Sequence, residues 1–298
     1  MDSSLPRKPR LHVPGGFYHV VARGNGKQDI FLDDRDRLLW EKMLGIGLQK
    51  HNHQIHAYCW MTNHVHIAIR AGEKPLAKFM STLLSRYAKV FNLKTTRSGH
   101  VFERRYRAIL VKESDYLMEL VRYIHHNPLR AGIVGNVSDY RWSSHHAYMG
   151  KSRAPWLNTD VVLSLFGPNR HSARHQYVEF IGEEQPPSVI EQIRVGSTLD
   201  HRAFGDDEWL QEVLNVANSK PEFESLKQLI DMVCDQNAVT EDQLASKSRS
   251  RTNARLRAQI ALVASDLGIA TITEIARRFG RSQPVISRAV DRLRESLA

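Results

Sequence analysis

The chain has 298 residues, 42% of them hydrophobic and 25% charged, enough to bury the core of one large or two ordinary domains. No apolar run approaches the roughly 18 residues that span a bilayer, and the basic start MDSSLPRKPR is not followed by an apolar stretch of signal-peptide type, so a cytoplasmic protein is expected. The formal charge of +10 and pI near 9.7 point to a polyanionic partner, with nucleic acid leading and a place on the nucleoid expected, because a basic face gains affinity by releasing counterions condensed on phosphates.

The first strand reads as Phe17 to Ala22, followed by a turn at Arg23-Gly24-Asn25-Gly26. Asp33 to Lys50 has a helical pattern with Leu38, Leu39, Met43, Leu44 and Leu48 toward a core, although Gly45 and Gly47 weaken its end. Gln54 to Trp60 and His64 to Arg70 flank the short Met61-Thr62-Asn63 connection, which makes them an antiparallel hairpin. A helix starts at Pro75, and Arg104 to Val111 is a fourth strand. Ser114 reads as the cap of a helix through Tyr116 to about His126, ended by Asn127-Pro128 because a residue before proline avoids helical dihedrals.

The order is βαββαβ and then α, the ferredoxin-like arrangement of an antiparallel sheet with packed helices, so an α+β class is expected. Residues 1–181 form this domain, 182–207 read as a linker with two prolines and mixed polarity, and 208–298 as an all-helical domain. In the latter, the expected helices are Trp209–Asn218, Leu226–Asp235, Arg255–Leu267, Ile272–Phe279 and Gln283–Leu297. The last two carry a helix-turn-helix pattern, with Gly280 in the turn, Ser282 as a cap, and Val285, Ile286 and Val290 inward. Gln283, Ser287, Arg288 and Arg292 would then face outward, toward DNA.

Cys59 and Cys234, the only cysteines, offer neither a disulfide framework nor a thiolate cluster, so any metal must be held by nitrogen and oxygen. A His-x-His triplet alone is weak, since about one is expected by chance in a chain with this many histidines. Two occur. His51-Asn52-His53 falls at a helix end, where its side chains would diverge, and reads as structural or solvent-exposed. His64-Val65-His66 falls in a strand, where residues two apart face one side, so its imidazoles converge while Val65, Ile67 and Ile69 point into the core. On the following helix, Leu117, Leu120, Val121 and Ile124 make the core stripe, and Tyr123 lies roughly 110° around from its centre. Asn127 sits one turn further on the same side, so a phenol and an amide can approach one group; a boundary tyrosine and a helix-ending asparagine are the structural alternative. Arg104, Arg105 and Arg107, with Tyr106 among them, read as a basic strand suited to tracking and stacking on single-stranded DNA, and Arg23, Arg122 and Arg130 as further backbone contacts.

The blocks Tyr18-His19-Val20, Arg23-Gly24-Asn25, Met61 to His66, Gly99-His100-Val101-Phe102, and Arg122-Tyr123-Ile124 with Asn127-Pro128 and Arg130-Ala131-Gly132 match in order and spacing over roughly residues 10–150. They resemble the IS200/IS605-like tyrosine transposases of the HUH endonuclease group, most of all their REP-associated branch. The resemblance implies that His64, His66 and Asn127 hold a divalent metal, Mg²⁺ or Mn²⁺, and that Tyr123 is the nucleophile. It also implies cleavage and rejoining of single-stranded DNA at repetitive extragenic palindromic hairpins through a 5′-phosphotyrosine, by a monomer rather than a homodimer. Ser246 to Arg249, Arg255, Ile260, Ala261 and Ile272 to Arg294 are similar to the duplex-DNA-binding domain of the bacterial replication initiator, which implies duplex binding through Gln283 to Arg294. Two other readings compete: a regulator that retains the nuclease fold only to bind hairpins, and a nuclease using metal-activated water.

Overall fold

The structure, a computed structural model, describes residues 12–103, 105–218, 225–246, 250–267 and 269–297. Arg104 and the basic Lys247-Ser248-Arg249 segment lie outside these. Two compact units are present, Met1–Ala217 and Asn218–Ala298.

In the first unit, apolar alternation at Tyr18, Val20 and Ala22 places β1 (Phe17–Arg23) at the middle of a sheet. Then come α1 (Asp34–His51), β2 (Gln54–Trp60), β3 (His64–Arg70), α2 (Leu76–Thr95) and β4 (Arg107–Val111). The sheet order is β2-β3-β1-β4 with antiparallel neighbours, as the βαββαβ reading requires, and a fifth strand is added beyond β4. The helix α3 (Asp115–His125) is followed by α4 (Asn127–Arg130), α5 (His145–Tyr148), α6 (Asp160–Ser164) and α7 (Arg170–Gly182). The unit ends with α8 (Pro187–Val195), β5 (Ala203–Phe204) and α9 (Asp207–Asn218).

One sheet face, with Tyr18, Val20, Val65, Ile67 and Ile69, packs on α1 and α2. The other, with Phe17, Ala68, Ile109 and Val111, packs on α3 through Leu117, Leu120, Val121 and Ile124, the expected stripe. The α1 face differs from expectation: Trp40, Leu44 and Leu48 are buried, whereas Leu38 is 57% exposed. Gly45 and Gly47 do not end α1. A Cβ on Gly47 would stand 2.7 Å from the Phe79 ring, so the missing side chain is what lets α2 approach.

One boundary and two local geometries also differ. The fourth strand starts at Arg107, not Arg104. Ser114 occupies the N-cap of α3, but at φ 93° and with no side-chain capping bond. The helix α3 ends at His125, close to the expected His126, but not because Asn127 avoids helical dihedrals. Asn127 already belongs to α4, where proline's missing N–H falls in the first turn and breaks no helical bond.

The expected linker is part of the first unit. β5 pairs in parallel with β4, Leu110 N donating to the Arg202 carbonyl at 2.8 Å and Lys112 N to that of Phe204 at 2.9 Å. Ile193, Ala203, Phe204 and Leu210 are buried in the sheet cores, so 182–207 is structure and not a tether, and the unit boundary falls near residue 217. Two prolines suggested a linker, but Pro186 and Pro187 stand at the start of α8, where proline fits a helix.

The second unit is helical: α10 (Leu226–Asn237), α11 (Glu241–Ala245), α12 (Arg251–Asp266), α13 (Ile272–Arg278) and α14 (Gln283–Leu297). Its core joins Leu229, Ile230, Ile260, Ile275, Phe279, Ile286 and Val290. Thr271 and Glu274 form a capping box at the start of α13, and Gly280 takes φ 58° in the turn to α14. Val285, expected inward, is 43% exposed. Among the described residues, no helix is long and apolar enough to cross a membrane.

Candidate functional site

Strand alternation places His19, Val21 and Arg23 of β1 on the α3 face of the sheet. Across β1, Arg23 pairs with His64 and Val21 with both His66 and Arg107. Side chains from three adjacent strands therefore stand in one row. Tyr123, Asn127 and the end of α8 close over them, leaving a pocket of about 330 Å³. It joins His64, His66, Tyr123 and Asn127, the four residues expected to act together, with Arg23, Arg107 and Arg194 around them.

His64 and His66 meet with ring centroids 4.9 Å apart. His64 Nδ1 donates to Asn63 Oδ1 at 2.6 Å, which leaves its Nε2 as the lone-pair nitrogen. Burial, aided by the Arg23 charge, pushes the His64 pKa down to about 4. His66 is held well below the ordinary range by burial, then by His19, His64, Arg130 and Arg23. Both rings are therefore neutral at pH 7, the state in which an imidazole can accept a cation.

Tyr123 is buried, its ring edge-on to His19 at 5.5 Å and to His66 at 5.7 Å. Burial raises its phenol pKa, while Arg130, Arg194, Arg107 and Arg23 pull it back down. The Arg130 guanidinium lies over the ring, 4.2 Å from its centroid, and donates to the Tyr123 carbonyl. Asn127 Nδ2 donates to the same carbonyl at 3.0 Å. The amide nitrogen is thus turned back on the helix, and Oδ1 is the atom left for the pocket. Among the described residues no three His, Cys, Asp or Glu side chains form a metal-holding group; the pocket brings together two imidazoles and one side-chain amide.

The other expected DNA contacts divide. Arg23 and Arg107 are exposed on the row and line the pocket, Arg107 donating to the Arg194 carbonyl. Arg105 is exposed just before β4. Arg122 is not a DNA contact: it is buried against Glu119, the Phe180 carbonyl at 3.2 Å and the Phe180 ring at 4.0 Å. Position 122 falls on the α7 side of α3, so its charge ties two helices together. Tyr106 is not available for stacking either, because its ring is buried in the core under α1 and α2. On α14, Gln283, Arg288 and Arg292 are exposed and Ser287 is half-buried, as the outward face requires.

The second triplet is structural, but not by diverging. His51 and His53 are buried with rings stacked at 5.8 Å, Phe79 lies edge-on to His53, and His53 Nδ1 accepts from Gly72 N–H at 2.9 Å. Two site residues escaped the sequence reading. His19 was visible in its motif, and its same-face spacing with Arg23 was the signal that went unused. Arg194 had none, since only the return of α8 brings it to Tyr123.

Residues 13–127 match the family model described as IS200-like transposase. A solved structure of a REP-associated tyrosine transposase bound to a REP hairpin is 18% identical, covers 53% of this chain and 93% of that chain, and superposes with a TM-score of 0.42. No curated protein matches.

Proposed function

We propose that the chain, whose residues 13–127 match the IS200-like transposase model, is a metal-dependent endonuclease and strand transferase of single-stranded DNA, with Tyr123 as nucleophile. The observation that carries the proposal is the pocket itself. One phenol is packed against two neutral imidazoles, under one guanidinium and among three more basic side chains.

His64 Nε2, His66 and Asn127 Oδ1 would hold a divalent cation, and the donor set fits a hard ion such as Mg²⁺ or Mn²⁺ with positions left for substrate. When bound, the ion polarises the phosphoryl oxygen. Arg23, Arg107 and Arg194 seat the phosphate. The Tyr123 phenol gives its proton to solvent, and Arg130 favours the resulting phenolate, which attacks phosphorus. The Tyr123–phosphorus bond forms and the bond to the 3′ oxygen breaks, that oxygen taking a proton from solvent, which gives a 5′-phosphotyrosine and a free 3′-hydroxyl. A 3′-hydroxyl can reverse the step without ATP, so the same site rejoins strands.

The target class, palindromic hairpins of REP type, is what the resemblance to REP-associated tyrosine transposases implies. In the second unit, α14 would enter a duplex major groove through Gln283, Ser287, Arg288 and Arg292, and such binding would keep a monomeric protein on the nucleoid. The test is incubation with Mg²⁺ and 5′-labelled and 3′-labelled single-stranded hairpin DNA, followed by denaturing electrophoresis. A protein–DNA adduct absent in Tyr123→Phe is expected. Cleavage without adduct would support metal-activated water, and tight hairpin binding without cleavage would support a regulator.

A further inference from the structure

We propose that His19 is a positioning residue for His66: the Nδ1–H of His66 donates to Nε2 of His19, fixing the tautomer in which His66 Nε2 carries its lone pair toward the pocket. The inference rests on the metal-site reading above and adds a residue to it.

The two ring nitrogens are 2.9 Å apart, and the rings are nearly parallel, 15° between planes with centroids 5.2 Å apart. Both side chains are almost fully buried, 3% and 5% exposed, so water does not compete for this hydrogen bond. Two neutral imidazoles at that distance must place one proton between them, and only its owner is open. If His19 were the donor, His66 Nδ1 would be the acceptor, and the neutral ring would present Nε2–H to the pocket. An N–H cannot ligate. If His66 is the donor, Nε2 is the free nitrogen and His19 carries its own proton on Nδ1. That atom is buried without a well-aligned hydrogen bond, and the backbone of Ile193 is close enough to interact with the His19 ring. His64 is held in the matching tautomer by Asn63, so each histidine of the pair has one outer partner aiming its Nε2. Such partners fix ring orientation and basicity in metal sites.

The position of His19 fits the role. It stands on the central strand, held by β3 on one side and β4 on the other, where the backbone cannot drift. Its ring is also edge-on to Tyr123, so the same side chain limits where the nucleophile can move.

The test uses the full chain and Mn²⁺ alone, with binding followed by loss of the free-ion paramagnetic resonance signal. His19→Phe keeps a ring of similar size but no acceptor, and weakening of about 10–100-fold is expected. His19→Gln restores an acceptor near the Nε2 position and should bind within about threefold of the parent, the rescue that a purely structural role would not show. Independently, long-range ¹H–¹⁵N spectra of the metal-free parent should show His66 neutral and protonated at Nδ1. His19→Phe binding Mn²⁺ like the parent, while His66→Ala does not, would overturn the inference and leave the metal reading intact. Binding unchanged in His64→Ala and His66→Ala would instead remove that reading. Where His19→Phe fails to fold, the tautomer decides: an Nε2-protonated His66 in the parent refutes the proposal.

Discussion

Removing Arg130 tests whether the basic surround of Tyr123 is catalytic. Its guanidinium sits 4.2 Å from the ring centroid, which places the phenolate oxygen roughly 5 Å from the charge and, at an effective dielectric of ~20, makes the attraction roughly 3 kcal/mol. Tyr123 is buried but Arg130 is exposed, so solvent and salt screen part of this attraction. Discounted by about half for that screening, Arg130→Ala should lower the phenolate population at a given pH, and with it the rate of adduct formation at pH 7, by roughly tenfold. Burial raises the phenol pKa above its ordinary value. Below that pKa the phenolate fraction grows tenfold per pH unit, so the parent rate should climb with pH. In Arg130→Ala the climb should run parallel to the parent's and displaced to higher pH, so the deficit stays constant while both phenols remain below their pKa. Arg130→Lys keeps the charge but not the stacked plane, and should fall between. The assay is single-turnover adduct formation on a labelled hairpin from pH 6 to 10 at saturating Mg²⁺. A folded Arg130→Ala with the parent rate and pH profile would refute the electrostatic role.

Acid should unfold the first unit early. Burial holds His53, His56 and His145 near a pKa of about 4, against an ordinary 6.5, so the unfolded chain binds more protons between those values. Stability is complete above about 6.5 and is lost as pH falls toward 4, each group contributing up to about 1.4 kcal/mol per pH unit. Urea unfolding at pH 5 should show a loss of a few kcal/mol relative to pH 7, and equal midpoints would contradict it. Arg122→Ala should destabilise by about 2–4 kcal/mol, through loss of its buried partners Glu119 and Phe180. The adduct rate of the folded variant should stay within a few-fold of the parent; a specific loss of hairpin affinity would return Arg122 to the DNA surface. Arg288→Ala and Arg292→Ala should each reduce the salt slope of duplex binding by about 1 while leaving single-strand cleavage unchanged, and an unaltered slope would argue against a groove-bound α14.

Much of the four-stranded sheet was readable because each strand has a one-sided reason to exist. Val65, Ile67 and Ile69 fill the core, and the same alternation puts His64 and His66 on the opposite face, so fold and histidine row come from one pattern. Tyr123 and Asn127 followed because helical spacing is local. The errors were cases in which local signals met distant partners. Arg122 reads as a basic surface residue until α7 packs over it, and Tyr106 reads as an aromatic in a basic strand until its side chain falls on the core face. The pairing of β5 with β4 involves only two residues and joins positions nearly a hundred apart, so no periodicity announces it.

That late pairing makes a further prediction about where the catalytic unit ends. A fragment stopping at residue 181, the boundary that composition suggests, loses Ile193, Phe204 and Leu210, each at most 2% exposed. Burying such side chains contributes about 1.5–3 kcal/mol apiece, so the three together approach the roughly 5–15 kcal/mol that stabilises a whole domain. The fragment also bares the β4 edge and opens the apolar patch beneath α8, a combination that invites strand-to-strand association. Residues 1–181 should therefore aggregate or melt without cooperativity. Residues 1–217 retain α8, β5 and most of α9, and with them Arg194 beside Tyr123; this longer fragment should unfold in a single transition and form the Tyr123 adduct at the parent rate. A soluble, cooperatively folded and fully active 1–181 fragment would mean that the cleavage site is complete without α8, and that Arg194 adds nothing to the phosphate seat.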